Sequence, residues 1–270
     1  MSPFDIAIDV SDNNGRIDWP AVFASGVRIA FVKAMEGVGM HYPTWGPQSE
    51  GANRAGLIVI PYLFLRPAEA KQVVNNFVRV TGLGSGMAFA LDWEGRASQT
   101  ATPEIAEQIG EELAIVAGRK PIGYWGIPGS TPAAPTARML LWPRWVPRYP
   151  SVYAQKFDDL PERCILNPKL TWHGENGELP YFAQYTAAGR VPGIQGKIDR
   201  SVAFFPTIED ALVWCGKSPG KPADAPRPVS ATPVAATPAP RHPVPPPAPA
   251  DGDQSADDLN RAELDRLSRG

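Results

Sequence analysis

The sequence predicts an α/β fold: an irregular TIM-like (β/α) barrel whose late strands lack helices, followed by a disordered Pro-rich C-terminal tail. Three observations carry this expectation. Five strand-like segments alternate with helical patterns over about the first 125 residues, at spacings of about 23 to 33 residues. That order belongs to a parallel sheet, either doubly wound or closed into a barrel. No GxGxxG or GxxxxGKS loop follows any early strand, so a doubly wound nucleotide-binding fold lacks its usual marker. The third observation is the two-faced strand around "FALDWEG". Ala88, Ala90, Asp92 and Glu94 share one face, and Phe89, Leu91 and Trp93 share the other. A small, acidic face suits a crowded barrel interior, while a large apolar face packs under outer helices.

Taken in chain order, "FDIAIDVS" alternates Phe4, Ile6, Ile8 and Val10 against Asp5, Ala7, Asp9 and Ser11. "DWPAVFASG" is a short helix candidate. In "VRIAFVKAMEG" the residues Ala30, Val32, Ala34 and Glu36 share a face, and residues 43–56 follow as a second short helix. "LIVIPYLFLRP" is the third strand. Val73, Val74, Phe77 and Val80 form a helical stripe that Gly82 can stop. After the two-faced strand, Thr102 can cap a helix with Pro103 in its first turn, Ile105, Ile109, Leu113 and Val116 on one face, and Gly118 at its end. "KPIGYWG" is the fifth strand. Beyond it "RMLLWPRW" reads as a strand with a short exit, and "LPYFAQYTAAGRVPGIQGKIDRSVAFF" as two strands joined by a Gly- and Pro-rich turn.

Composition sets the boundary of the folded part. All 25 aromatic residues lie at or before Trp214, so the chain beyond it has no rings with which to build a core. The expected domain is therefore 1–216. Residues 217–250 hold 12 prolines in 34 residues and read as a semi-extended linker. Residues 251–270 are a polar tail in which Ser255 could cap a short helix carrying Leu259, Leu264 and Leu267.

Charge and cysteine usage exclude more than they suggest. The net charge is -2 with a pI near 6.0, so no basic field recruits nucleic acid or an anionic membrane. "MSPFDIAIDV" has no basic n-region and carries Asp5 and Asp9 within its apolar stretch, so no signal peptide is expected. "GLIVIPYLFL" is about half a membrane span and reads as a buried strand, so no membrane insertion is expected. Cys164 and Cys215 form no CxxC pattern, and His41, His173 and His242 are scattered. Zinc wants clustered ligands, so neither metal nor other cofactor is expected; the two thiols are open to pairing or to staying free, and the expected lack of a signal favours free ones.

In a parallel barrel the chemistry lies at the C-terminal strand ends, where Asp9, Glu36, Arg66, Asp92, Glu94 and Tyr124 fall. A strand ending at the surface can finish in acidic residues simply because they are solvated there. Several carboxylates gathered at one mouth repel each other, however, and a carboxylic acid beside another carboxylate and apolar rings holds its proton to higher pH, as a general acid must. A carboxylate-pair glycosidase is the leading reaction class.

These pieces together resemble glycoside hydrolase family 25, the muramidase lysozymes of bacteriophage endolysins and bacterial autolysins. The resemblance runs over residues 4 to about 205. It rests on "IDVSDNNGRIDW" with Asp9, "GVRIAFVKAMEG" with Glu36, "AGLIVIPYLFLRP" with Tyr62, "ALDWEG", "PIGYWG" with Tyr124, "LLWPRW" with Trp142, and "AQYTAAGRVPGIQGKIDRSVAF" with Gln184 and Asp199. It implies cleavage of the β-1,4 bond between N-acetylmuramic acid and N-acetylglucosamine in bacterial cell-wall peptidoglycan, by a monomer without a cofactor. Glu94 would be the general acid and then base, Asp92 its partner, and Asp9 and Asp199 the rest of an acidic floor. Tyr62, Tyr124 and Trp142 would contact sugar, each alternatively being a core ring, and Glu36, Arg66 and Gln184 would join them in binding substrate. A phage lysin of this kind would stay in the host cytoplasm until lysis and then act on the wall.

The chain departs from the family pattern at Leu63, where a His is usual, in "SDNNG", and at Ser201. Stereochemistry stays open. Residues i and i+2 on a strand have Cα atoms about 6.5 to 7 Å apart, which with flexible side chains spans both the ~5 to 5.5 Å separation of retaining enzymes and the larger one of inverting enzymes. Two other functions fit the same residues: a non-catalytic wall-glycan-binding virion component, and a barrel hydrolase of chitin-like polymers.

Overall fold

A computed structural model describes residues 3–126, 131–149, 155–156 and 179–216. Cys164, His173, the 217–250 segment and the 251–270 segment lie outside them. The described residues all belong to one compact unit, Met1–Pro219.

The strands are β1 (Phe4–Val10), β2 (Ile29–Glu36), β3 (Met40–His41), β4 (Ile58–Phe64), β5 (Ala90–Asp92), β6 (Ile122–Tyr124), β7 (Arg144–Pro147), β8 (Phe182–Gly189) and β9 (Ile198–Ala203). All but β3 form a ring in the order β1-β2-β4-β5-β6-β7-β8-β9, closed by pairing of β9 with β1. β3 extends the edge of β2 as a short antiparallel hairpin. Pairing is parallel from β1 round to β8, and β9 runs antiparallel to both neighbours. The C-terminal ends of seven ring strands therefore share one rim, and β9 presents its N-terminal end there. This is why Asp199, early in β9, lies opposite Asp9, late in β1.

The helices are α1 (Trp19–Ala24), α2 (Trp45–Arg54), α3 (Ala70–Thr81), α4 (Pro103–Ala117) and α5 (Ile208–Trp214). The expected start and stop signals operate as local chemistry predicts. The Thr102 hydroxyl accepts from the Ile105 amide, and Gly118 ends α4 in the left-handed region at φ 65°. Gly82 does the same for α3 at φ 67°. Phe89, Leu91 and Trp93 pack outward with Val73, Phe77, Ile109 and Leu113 of α3 and α4, as the two-faced strand required. β8 and β9 are joined without a helix, as expected. β9, however, is followed by α5, whose Ala211 and Leu212 pack with Phe205 and Ile6 in the cluster that fills the barrel.

Two strands depart from simple alternation. β1 holds an extra residue between Asp5 and Ala7 in its pairing with β9, so Ile6 and Ala7 both join the interior cluster, while Ile8 and Val10 face the outer one. Asp5 is thereby turned away from Asp9 and pairs with Arg200. β2 has the same irregularity between Lys33 and Met35. Ala30, Val32, Ala34 and Met35 all pack outward, and Glu36 is re-aimed to the side of Lys33. The expected shared face of Ala30, Val32, Ala34 and Glu36 is therefore corrected: a β-bulge separates the last from the rest. The interior is also less small than expected. Opposite Ala88 and Ala90 it is filled by rings, with Phe31 stacked on Trp145 at 4.1 Å and Tyr124 at 4.6 Å from Trp145.

A further correction concerns "RMLLWPRW". Met139–Leu141 is a 3-10 turn and the strand begins only at Arg144, because Pro143 has no N–H to give a ladder and contributes only its carbonyl, to the Gly123 amide at 2.8 Å. Trp142 is consequently not at the rim. It is buried in the outer core against Trp125 and α4, and a Cβ on Gly110 would stand 2.4 Å from its ring. Gly110→Leu should overpack this contact by about 1 to 3 kcal/mol even after its better helix propensity. The expected result is a melting temperature lower by roughly 5 °C, partly recovered by adding Trp142→Leu; an unchanged melting temperature would place the indole elsewhere.

Candidate active site

The parallel register assembles the rim row by row. Glu36 pairs with Phe64, Phe64 with Asp92, and Asp92 with Tyr124, so these four side chains form one layer across β2, β4, β5 and β6. Trp93 is fixed outward by its amide on the Tyr124 carbonyl at 2.9 Å and its indole N–H on the Ala101 carbonyl at 2.8 Å. With Trp93 anchored in the outer core, Asp92 before it and Glu94 after it are turned the other way, into the mouth. Asp92 is 8 % exposed and Glu94 3 %.

On the far side of the ring, Asp9 and Asp199 face each other across β1 and β9. A chain of side chains connects the two halves. The Gln184 amide N–H donates to Asp9 Oδ2 at 2.9 Å, and Gln184 Oε1 accepts from the hydroxyls of Tyr124, at 2.7 Å, and Tyr149. Burial first, and then the phenol of Tyr149 with the charges of Glu94 and Asp92, pushes the Tyr124 hydroxyl well above its usual value. Burial and the charge of Asp199, with Glu94 and Asp9 behind it, do the same at Tyr149. Both phenols therefore stay protonated and act as donors, and Tyr149 lies within the field of three of the four floor carboxylates.

Glu36 has a different environment. Burial raises its carboxyl, but the charge of Lys33 and hydrogen bonds from Lys33, Tyr42 and Arg66 overcome that and bring it down to about 2. The contacts are Lys33 Nζ at 2.8 Å, the Tyr42 hydroxyl at 2.7 Å and Arg66 Nε at 2.7 Å. Such a group is an anion throughout the working range and holds no proton to give. Among the described residues, no three His, Cys, Asp or Glu side chains are grouped to hold a metal ion. Cys215 is a free, buried thiol that burial pushes up to about 12.

The structure thus brings Asp9, Asp92, Glu94, Asp199, Tyr124 and Gln184 to one mouth, pairs Glu36 with Arg66 beside it, and sets Tyr62 in the ring-filled layer below, edge-on to Trp145 at 6.3 Å. Trp142 alone is placed outside. Sequence reasoning missed Tyr149 and Lys33. Lys33 carried a signal: it is the one cation in "IAFVKAME", a run apolar but for it and Glu36, and such a residue in a fully buried strand needs a partner.

A closed α/β barrel with carboxylates on its C-terminal rim has the architecture in which carboxylate-pair glycosidases place their reacting groups. Residues 8–194 match the family model of Glycosyl hydrolases family 25, and the chain belongs to that family. A stretch of 88 residues, 32 % of this chain, is 32 % identical to the autolytic lysozyme of Clostridium acetobutylicum. The match spans 27 % of that protein's length. Among solved structures, the bacterial lysozyme from Streptomyces coelicolor aligns with a TM-score of 0.60 at 21 % identity, covering 80 % of this chain and 98 % of that one. The catalytic domain of an endolysin from a Listeria monocytogenes bacteriophage aligns at 0.55 and 15 % identity, covering 80 % of this chain and 100 % of that one. These structural likenesses bear on the fold.

Proposed function

We propose that this protein is a peptidoglycan hydrolase that cleaves the β-1,4 bond between N-acetylmuramic acid and N-acetylglucosamine, with Glu94 as general acid and then base and Asp92 as its partner. The observation that carries the reading is the pair itself. Two carboxylates are held on one face at the end of β5, nearly excluded from water, with the Tyr124 phenol within their field. Both carboxylates are buried, and in this reading Glu94 carries the transferable proton. Asp92 in this reading stabilises the positive charge that develops on the sugar or orients the group that attacks it. Asp9 and Asp199 complete an acidic floor suited to a cationic transition state, and Gln184 with Tyr124 and Tyr149 supplies polar contacts to a sugar. The product test is direct: purified peptidoglycan should release new reducing N-acetylmuramic acid ends, whereas release only from chitin oligomers would replace the substrate, and glycan binding without cleavage would replace the activity.

The setting is part of the same reading. A monomer made in the host cytoplasm and released at lysis, as in a phage endolysin, meets its wall substrate without nucleic-acid or membrane partners. Among the described residues no helix is long and apolar enough to cross a membrane. The catalytic unit is proposed to end at Gly216, just after α5, whose Leu212 is buried with the interior cluster. A chain truncated there should keep its melting temperature and its rate on soluble wall fragments, because the removed residues contain no aromatic ring and little apolar surface to bury. A collapsed melting temperature would move the boundary.

A further inference from the structure

Arg66 is built into the rim more tightly than an ion pair requires. Its guanidinium stacks over the Phe64 ring, 4.7 Å from the centroid. Its Nε donates to Glu36 and its Nη1 to the Gln99 carbonyl at 3.1 Å. Its stem approaches Gly37 so closely that a Cβ there would stand 3.0 Å from Arg66 Cβ, and Gly37 is left-handed at φ 56°. Three contacts and a glycine thus fix the plane of the fork. Nη2 has no hydrogen-bond partner among the described residues, and the side chain is 28 % exposed. The fork is held by one edge and open along the other.

Arg66 stands on the same rim as the reacting pair, since Glu36, which holds its Nε, belongs to the layer that runs through Phe64 to Asp92. The Leu65 amide donates to the Asp92 carbonyl at 2.9 Å, so the register of β4 with β5 continues past the strand ends. Lys33 and Arg66 place two cations on the single carboxylate of Glu36, and the excess positive charge is poorly explained by the need to stabilise a cationic sugar, which it would oppose. It is well explained by an anion on the substrate.

We propose that Arg66 is a specificity residue that receives a carboxylate carried by the muramyl unit, and so distinguishes acidic wall glycan from neutral chitin-like polymers. This rests on the reading of the protein as a peptidoglycan hydrolase and names the feature of the substrate that the rim recognises. The carboxylate has two sources: the lactyl ether of a muramyl sugar without its peptide, or the residues of the stem peptide when the lactyl group is amidated. Arginine suits either, because its planar fork pairs with carboxylate geometrically as well as electrostatically. Glu36 acts here as a positioning residue, anchoring the guanidinium through Nε.

Three forms of one glycan strand separate the cases: peptide-free strands with free lactyl carboxylates, the same strands amidated to neutrality, and peptide-bearing strands. For the wild-type full chain, KM on the preferred acidic form should be about tenfold lower than on the neutral form, the worth of one charge-assisted hydrogen bond. The acidic form that shows the advantage identifies the source. In Arg66→Gln this ratio should collapse towards one, and Arg66→Lys should restore part of it. Because the readout is a ratio of KM values within each variant, general damage to the barrel does not imitate it. An unchanged ratio in a folded Arg66→Gln, or equal KM values for acidic and neutral strands in the wild type, would overturn the proposal. If the wild type cleaved none of the three strands, the peptidoglycan reading itself would fall instead.

Discussion

Replacing Glu94 by Gln is expected to lower the rate of peptidoglycan solubilisation by about two to four orders of magnitude, because a positioned general acid contributes about that much. The substitution keeps shape and removes only the transferable proton, so the melting temperature should move little. Asp92→Asn should be comparably severe, since the amide can neither carry the charge opposite the sugar nor orient an attacking group by accepting a proton. Bond cleavage is measured best by counting new reducing ends, which separates chemistry from wall binding. Full activity in Glu94→Gln would sink the assignment, and an equal loss in a folded Glu36→Gln would mean that the wrong carboxylates had been paired.

Glu36→Gln should be mainly a stability variant. It leaves Lys33, itself 8 % exposed, without the carboxylate 2.8 Å away, and removing one partner of a buried ion pair costs about 3 to 5 kcal/mol. The melting temperature at pH 7 should fall by roughly 10 °C. The sign of the pH effect is set by the depressed carboxyl. Its folded value, about 2, lies below the ordinary 4.5, so its contribution is complete above about pH 4.5 and is lost as pH falls towards 2. Melts across that interval should show wild type and variant converging as acid is added; a constant gap would mean that Glu36 carries no linked proton.

Much of this could be read from the sequence because it depends on local periodicity. The two faces of β5 follow from side-chain alternation, and the ends of α3 and α4 from a capping hydroxyl and left-handed glycines. The order of the strands then brought Asp9, Asp92, Glu94 and Asp199 to one rim. What the sequence could not show depended on pairing between distant segments. Tyr149 belongs to the site only because its hydroxyl meets Gln184, a residue from the next strand. Trp142 and Trp145 lie three residues apart in "WPRW", and nothing local tells that Pro143 puts the first under α4 and the second inside the barrel. Asp5 and Asp9 share a parity in the sequence and oppose each other in the fold, since one extra residue lies between them.

That extra residue, and its counterpart in β2, behave like shifts of reading frame. Upstream and downstream of each, the strand is regular, but which residues count as inward changes phase, and Asp9 and Glu36 are both delivered by the second phase. No point substitution can restore the first phase, since only adding or removing a residue alters the count. A barrel strand that lacks the extra residue would correspond to β1 or β2 only with a single-residue gap at the bulge. Aligning the strands without gaps would match inward residues to outward ones on one side of each shift.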